Sequence, residues 1–544
     1  MNTPSLGAPR IMSRASRSVA MGRKGMIATS QPPASMAGLE VLREGGNAVD
    51  AAVTAAAVLA VVEPTMTGIG GDLFAIVHDA TRRTTRGLNA SGRSAHLADL
   101  NHLRASGHAC VPEQGVLSAT VPGAVDGWAQ LLADHGTVPL ERALAPAVSF
   151  ARDGFPVAEV VARQWNDATS LLAADPTTAA LFLPKNRAPV PGELFVNQPL
   201  ADSLEAIASE GPDALYRGAL AHAIAGDIAR RGGWLTIQDL EDHRSDWVEP
   251  IRTSVGEVEL LELPPNTQGF VAIEALNILA NDDLGQLGHN SGDYLHLVLE
   301  ALAVAFGDRA AYLADSDAVP DETLERLISP AYAEHRRRQI GSEHARVGET
   351  APSGPDATIP EGATGDTVYL AAADADGNLI SLIQSLYSGF GAGIVAGNTG
   401  IVLHNRGSLF GTDPSHPNHL APHKRPLHTL APAMVYRGGR PWMAFGVMGG
   451  DMQPQGHLQV LLNLTCFGMN IQEAGEAPRA RYDASGICLE HGIPDTTATD
   501  LRHRGHTLID GLGFGGFQGV LIDPETGTLM GGSDPRKDGL ALGW

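Results

Sequence analysis

Residues 366–387, DTVYLAAADADGNLISLIQSLY, decide the fold. TVYLAAA reads as a strand, DADGN as a turn built on Asp376-Gly377, and LISLIQSLY as the returning strand of a hairpin. Immediately upstream, residues 341–366 (GSEHARVGETAPSGPDATIPEGATGD) give up apolar residues for Gly, Pro, Ser, Thr and charge. That is the composition of a mobile linker. A linker therefore abuts a strand whose first residue is Thr367. The junction makes chemical sense if the chain cuts itself between Asp366 and Thr367. A Thr released as an N-terminus holds nucleophile and base in one residue. Its Oγ attacks, and its own α-amine, with a pKa of about 7.7–8, accepts the proton.

Outward from the hairpin, residues 1–25 read as a frayed, disordered tail. MAGLEVLREGG reads as a short helix stopped by Gly45 and Gly46. Asn47 caps the next helix, with Asp50 at its third position. That helix, AVDAAVTAAAVLAVVEP, is Ala-rich on every face, the pattern of a helix buried between layers. Pro64 ends it, and TGIGGD follows as a flexible loop. Residues 293–313 carry Leu295, Val298, Leu299, Leu302 and Phe306 at helical spacing. Further on, PWMAFGVM is a strand, a helix lies near 455–467, and Asn470 with Glu473 makes another capping box.

Composition narrows the function classes. The 544 residues carry 38 Lys+Arg against 61 Asp+Glu, a formal net charge of −23. This balance argues against nucleic acid or an anionic membrane as the main partner. Hydrophobic content of 43% with 18% charged residues excludes wholesale disorder. Cys110, Cys466 and Cys488 are far apart and odd in number, so they form no disulfide framework, and a reducing, cytoplasmic setting fits. No window reaches the roughly 18 apolar residues that span a bilayer. GLGFGG at 511–516 matches a dinucleotide pattern formally, but the β-like FQGVLID follows it rather than a helix. His416, His419, His423 and His428 are interrupted by Pro417, Pro422 and Pro426 and read as loop histidines. Neither metal nor organic cofactor is expected.

Several segments, in order, extend the reading: GGNAVDAAVTAAAVLAVVEPTMTGIGGDLF, VPGAVDGW, EGPDALYRG, DTVYLAAADADGNLIS, GFGAGIVAGNTGIVLHN and GGSDPR. Together they resemble the γ-glutamyltranspeptidase family, from about residue 25 to the C-terminus. The resemblance implies an N-terminal nucleophile hydrolase: an α+β fold, a four-layer αββα sandwich made as a self-cleaving proenzyme. Residues 26–366 would form the large subunit and 367–544 the small one, held together as a heterodimer that itself could pair. Aligned on DADGN, the nucleophile is Thr367. Ser385 matches the hydroxyl that supports it. Gly449 and Gly450 match the pair whose N–H groups form the oxyanion hole, where an absent side chain leaves room for the developing O⁻.

The substrate positions depart from the family pattern. In the run His404-Asn405-Arg406-Gly407-Ser408-Leu409-Phe410, Leu409 stands where γ-glutamyl enzymes place an acid for the substrate ammonium. Tyr387 replaces an Asn, His428-Thr429 replaces a Ser-Ser pair, and the carboxylate-binding Arg aligns at Ser91, two residues from Arg93. Arg406 instead puts a permanent cation at the pocket wall, suited to a bidentate grip on a carboxylate. Its setting resembles the subgroup that contains oxamate amidohydrolase. The expectation is an amidohydrolase for a small carboxylate-bearing amide, with Arg406, Asn405, Tyr387, His428, Thr429 and Arg93 around the substrate. γ-Glutamyl transfer or hydrolysis, a cephalosporin-type acylase, and a non-processing scaffold are the alternatives.

Overall fold

The hairpin lies at the centre of a seven-stranded antiparallel sheet in a computed structural model that describes residues 17–346 and 366–544. In spatial order this sheet runs Leu540–Gly543, Gly25–Thr29, Asp366–Asp374, Leu379–Tyr387, Asp72–Asp79, Thr84–Ala90 and Asp246–Val248. A second antiparallel sheet of seven strands runs Ala20–Gly22, Leu529–Ser533, Phe517–Ile522, Arg440–Val447, Ala433–Arg437, Val258–Glu262 and Ile251–Val255.

Period-two alternation along one strand assigns the layers. Val368, Leu370 and Ala372 join the core under the helices Pro32–Arg43, Ala48–Val62 and Ala124–His135. Tyr369, Ala371 and Ala373 point the other way and pack with Met434, Ala444 and Val520 of the second sheet. On that sheet's far face, Val258, Leu260, Val435 and Phe445 meet the helices Phe270–Ile278, Gly292–Tyr312 and Met452–Thr465. The result is the αββα sandwich. The sheets approach closely because Gly446 has no side chain: a Cβ there would lie 2.4 Å from the Tyr369 ring.

Local signals hold well. Asn47 and Asp50 form the capping box of Ala48–Val62, and every residue of that helix is buried. Asp374 accepts from Asp376 and Asn378 in the turn, and its second oxygen accepts from Ala48 N–H at 2.9 Å, which pins the buried helix to the hairpin. The first helix begins at Pro32, four residues before the expected Met36, since proline suits a helical first turn.

Two boundaries need correction. The tail does not run to residue 25. Ala20–Gly22 pairs with Leu529–Gly531, and the Arg23 and Lys24 N–H groups bond Trp544 O, covering an edge that would otherwise be unpaired. Nor is the linker free from residue 341: Ala345 N–H bonds Arg504 O at 2.8 Å, and Arg504 Nη1 bonds Ser342 O at 2.6 Å. The expectations for 1–16 and 347–365 lie outside the described residues. Among the described residues no helix is long and apolar enough to cross a membrane.

Candidate active site

Thr367 is 1% exposed and shares the parity of Tyr369, so it faces the space between the sheets. The pairing around it is irregular. Asp366 opposes Tyr387 and Val368 opposes Gln384, so Ser385 and Leu386 together face the single residue Thr367. This bulge re-aims Ser385 toward the nucleophile position. Thr367 Oγ1 donates to Ser385 Oγ at 3.2 Å, and Ser385 Oγ also accepts Tyr387 N–H at 2.7 Å. Tyr387 takes φ of 82°, a conformation L-residues rarely adopt. That strained turn carries its ring back over the Arg406 guanidinium, 4.3 Å from centroid to Cζ.

Arg406 is completely buried. Nη1 donates to Thr429 Oγ1 at 2.8 Å, while among the described residues Nε and Nη2 meet no acceptor. Burial pulls its pKa down to about 10, with Tyr387 and Asp72 opposing, so the group stays cationic at neutral pH. A buried cation with two unused donors is costly by itself and is suited to an anion.

Behind Arg406 lies a network that the sequence reading missed. Asp72 pairs in register with Ser385 and is fully buried. His428 Nε2 donates to Asp72 Oδ2 at 3.0 Å, and His404 Nδ1 lies 3.7 Å from the same oxygen. Burial opposes ionisation of Asp72, yet His404, His428 and Arg406 outweigh it and bring its pKa down to about 2. Burial, helped by Arg406, lowers His428 to about 3. It also lowers His404. Both imidazoles are therefore neutral, and the hydrogen bonds assign their tautomers. His404 Nε2 donates to Thr120 O while Nδ1 accepts Arg406 N–H; His428 Nδ1 accepts Leu430 N–H.

Gly449 and Gly450 turn the chain from the strand Arg440–Val447 into the helix Met452–Thr465, with φ of 110° and 57°. Among the described residues neither N–H meets an acceptor. GLGFGG finds its use here: a Cβ on Gly449 would lie 3.0 Å from Gly515 Cα, so the two glycine loops pack backbone to backbone. Gln268, another residue missed, ties this turn to the Arg406 pocket, its Nε2 bonding Gly450 O at 3.0 Å and Thr429 O at 2.8 Å. Asp451 follows the turn, paired with Arg309 at 2.8 Å, and the charges of both act on the Tyr387 phenol.

The structure thus brings Thr367, Ser385, Tyr387, Arg406 and Thr429 together, with Gly449 and Gly450 joined through Gln268. It moves three expected substrate contacts elsewhere. Arg93 pairs with Asp315 at 3.1 Å and lines a separate cavity with His423, its backbone O accepting Val121 N–H at 3.0 Å. Asn405 spends both ends of its amide internally, on Ser388 N–H and Glu113 O. His428 stands behind Arg406, held by Asp72. Leu409 is 2% exposed and packs beneath the helices of the second sheet, in the same core that holds the Tyr387 side chain. The expected loop histidines each have a partner in the fold: His416 Nε2 with Ala310 O, His419 Nδ1 with His416 O, and His423 stacked on His96.

Comparison with known proteins agrees with this fold. The family described as Gamma-glutamyltranspeptidase matches residues 34–544. The Bacillus subtilis protein named glutathione hydrolase-like YwrD proenzyme is 40% identical over 96% of this chain and 99% of its own. The Klebsiella pneumoniae oxamate amidohydrolase proenzyme is 33% identical over 96% and 98%. The crystal structure of cephalosporin acylase from Bacillus halodurans superposes with a TM-score of 0.90 at 40% identity, covering 99% of both chains. Hairpin, layers and match over nearly the full length agree: the chain belongs to the γ-glutamyltranspeptidase family of N-terminal nucleophile hydrolases and is an amide-directed hydrolase or transferase.

Proposed function

We propose that the chain matures by cutting itself between Asp366 and Thr367 and then hydrolyses a small carboxylate-bearing amide such as oxamate. In the uncut chain the Thr367 nitrogen belongs to a peptide bond, and cleavage frees it as an α-amine. Thr367 Oγ1 then attacks the amide carbonyl while its proton passes to that amine. The Gly449 and Gly450 N–H groups meet the developing oxyanion, and Ser385 holds the attacking oxygen in place. The C–N bond breaks, ammonia leaves with the proton, and water hydrolyses the acyl–threonine ester.

One observation carries the substrate reading: Arg406, buried, stacked on Tyr387 and with Nε and Nη2 unused among the described residues. It is placed to grip a carboxylate. Three relatives whose names end in proenzyme or acylase are compatible with self-cleavage and amide chemistry. A second reading, a γ-glutamyl compound, draws on Asp451, the carboxylate beside Gly450. Its pairing with Arg309 leaves it less available to a substrate ammonium. A release assay across oxamate, γ-glutamyl anilide and glutaryl amides separates the readings: fastest turnover of the γ-glutamyl compound would reject ours. A denaturing gel with N-terminal sequencing tests maturation. Thr367→Ala should remain one inactive chain, and a new terminus anywhere else would remove Thr367 from its role. A cytoplasmic setting also belongs to this reading, since Cys110, Cys466 and Cys488 are all free thiols. Recovery of the native protein from an exported fraction would overturn it.

A further inference from the structure

We propose that His296, Glu300 and His506 form a binding site for a divalent transition-metal ion, Zn²⁺ by its donor set, which fastens the segment leading to the cleavage junction onto the C-terminal part of the chain. His296 and Glu300 lie one turn apart on the helix Gly292–Tyr312 and share a face. His506 follows the helix Asp495–His503. One ligand atom from each residue lies within 4.8 Å of the other two. His296 is fully buried, and the side chains of His506 and Glu300 are 6% and 7% exposed.

The bonds around the cluster orient it. His296 Nε2 donates to Gly341 O at 2.9 Å, which fixes the tautomer and leaves Nδ1 unprotonated, as an acceptor. Ligating histidines are commonly held by such a second bond. That Nδ1 faces His506 Nε2 at 2.8 Å. Two imidazole nitrogens bound to tetrahedral Zn²⁺ stand about 3.3 Å apart, so the pair needs to open by only about half an ångström. The His506 Nε2 proton moves to Nδ1, which lies 3.9 Å from Glu300 Oε1. Glu300 is the second sign. Among the described residues its oxygens accept only from Arg346 N–H, at 3.4 Å each. A buried carboxylate so weakly bonded calls for a cation. Two imidazoles and a carboxylate suit Zn²⁺, with water at the fourth position.

The location gives the site a purpose. Gly341 and Arg346, which orient the ligands, belong to the stretch that Arg504 already holds through Ser342 and Ala345. If the chain is cut as proposed above, the ion bridges the two fragments. The site exists in the uncut chain as well, so its failure and the failure of that maturation reading are separable. No residue of the cluster contacts the Thr367 network, so turnover should not need the ion.

The test uses full-length protein stripped with chelator and titrated with Co²⁺, then with competing Zn²⁺. The expected result is one ion per chain with the intense visible bands of tetrahedral Co²⁺, displaced by Zn²⁺. His506→Gln and Glu300→Gln should each weaken Zn²⁺ binding by roughly tenfold or more. Zn²⁺ should raise the unfolding temperature of the wild type and not of these variants. Absence of a tetrahedral spectrum in the wild type overturns the proposal, and so does Zn²⁺ affinity unchanged by His506→Gln. Where a variant fails to fold, the wild-type spectrum alone decides.

Discussion

Two arginines in this protein are equally buried and differently employed. Arg479 and Arg406 are each almost inaccessible to solvent, and burial lowers the pKa of both to about 10. Arg479 is nearly saturated: Nη1 bonds Phe514 O, and Nη2 bonds Gly475 O and Asp534 Oδ2, the last at 2.8 Å. Asp534 in turn meets Arg536 at 2.9 Å and Phe517 N–H at 2.8 Å. GGSDPR is therefore a structural motif, an ion-pair cluster that locks the strands Phe517–Ile522 and Leu529–Ser533 to the loop before Ala480. Among the described residues Arg406 has one neutral acceptor, a ring against its face, and a carboxylate that acts only through space. Burial alone does not separate a fastening from a binding group. The count of unused donors does.

The comparison can be broken experimentally, beginning where the effect is largest. Arg479→Met should destabilise the fold by about 3 kcal/mol, the lower end for breaking a buried pair, since Arg536 still faces Asp534. Thermal or urea unfolding measures this, and a shift near zero would make Arg479 dispensable. Arg406→Leu should cost less than this, because its donors are largely unused among the described residues and the loss is mainly its through-space support of the Asp72 carboxylate.

Acid tests the charges behind Arg406. His428 titrates at about 3 in the fold against 6.5 ordinarily, so the unfolded chain binds a proton that the native protein refuses. Its contribution is complete above about pH 6.5 and is lost as pH falls toward 3. Asp72, held at about 2 against 3.8, adds stability that is present above pH 3.8 and is lost as pH falls through 2. Unfolding midpoints between pH 7 and 4 should therefore fall, and His428→Gln should flatten that slope by up to one proton. An unchanged slope would mean that His428 is already charged in the fold.

Arg406→Leu tests the binding half of the comparison. It should raise KM for a carboxylate substrate by an amount corresponding to roughly 1.5–3 kcal/mol, the loss of a charge-assisted hydrogen bond. Self-cleavage should survive, since the scissile peptide needs no carboxylate grip. The smallest expected effect is that of Tyr387→Leu, which removes a cation–π contact worth roughly 0.5–2 kcal/mol and should raise KM modestly. A kcat loss without a KM change would instead assign Tyr387 to the support of Ser385.

Leu409 shows how far linear reading reaches. Aligned along the chain, it occupies the place of an ammonium-binding acid. Folded, it is 2% exposed in a core that also holds Tyr387, so an Asp there would be buried and would need a cationic partner. Arg93 shows the limit: two residues along the chain from the aligned Ser91, it lines a different cavity.

The sequence by itself determined what is local. Alternation in TVYLAAA and LISLIQSLY, the Asp376-Gly377 turn, and the Asn47 and Asn470 capping boxes depend on neighbours within a few residues, and all are present. They place Thr367 at the head of a central strand and Ser385 opposite it. What only tertiary structure decided is who meets whom across the sandwich. Asp72 and His428 are 356 residues apart, Gln268 and Gly450 182, and Arg93 and Asp315 222. Hydrogen-bond patterns of strands and helix ends are set by backbone geometry at short range. The partner of a buried charge is set by which layers close on it, and no periodicity along the chain encodes that.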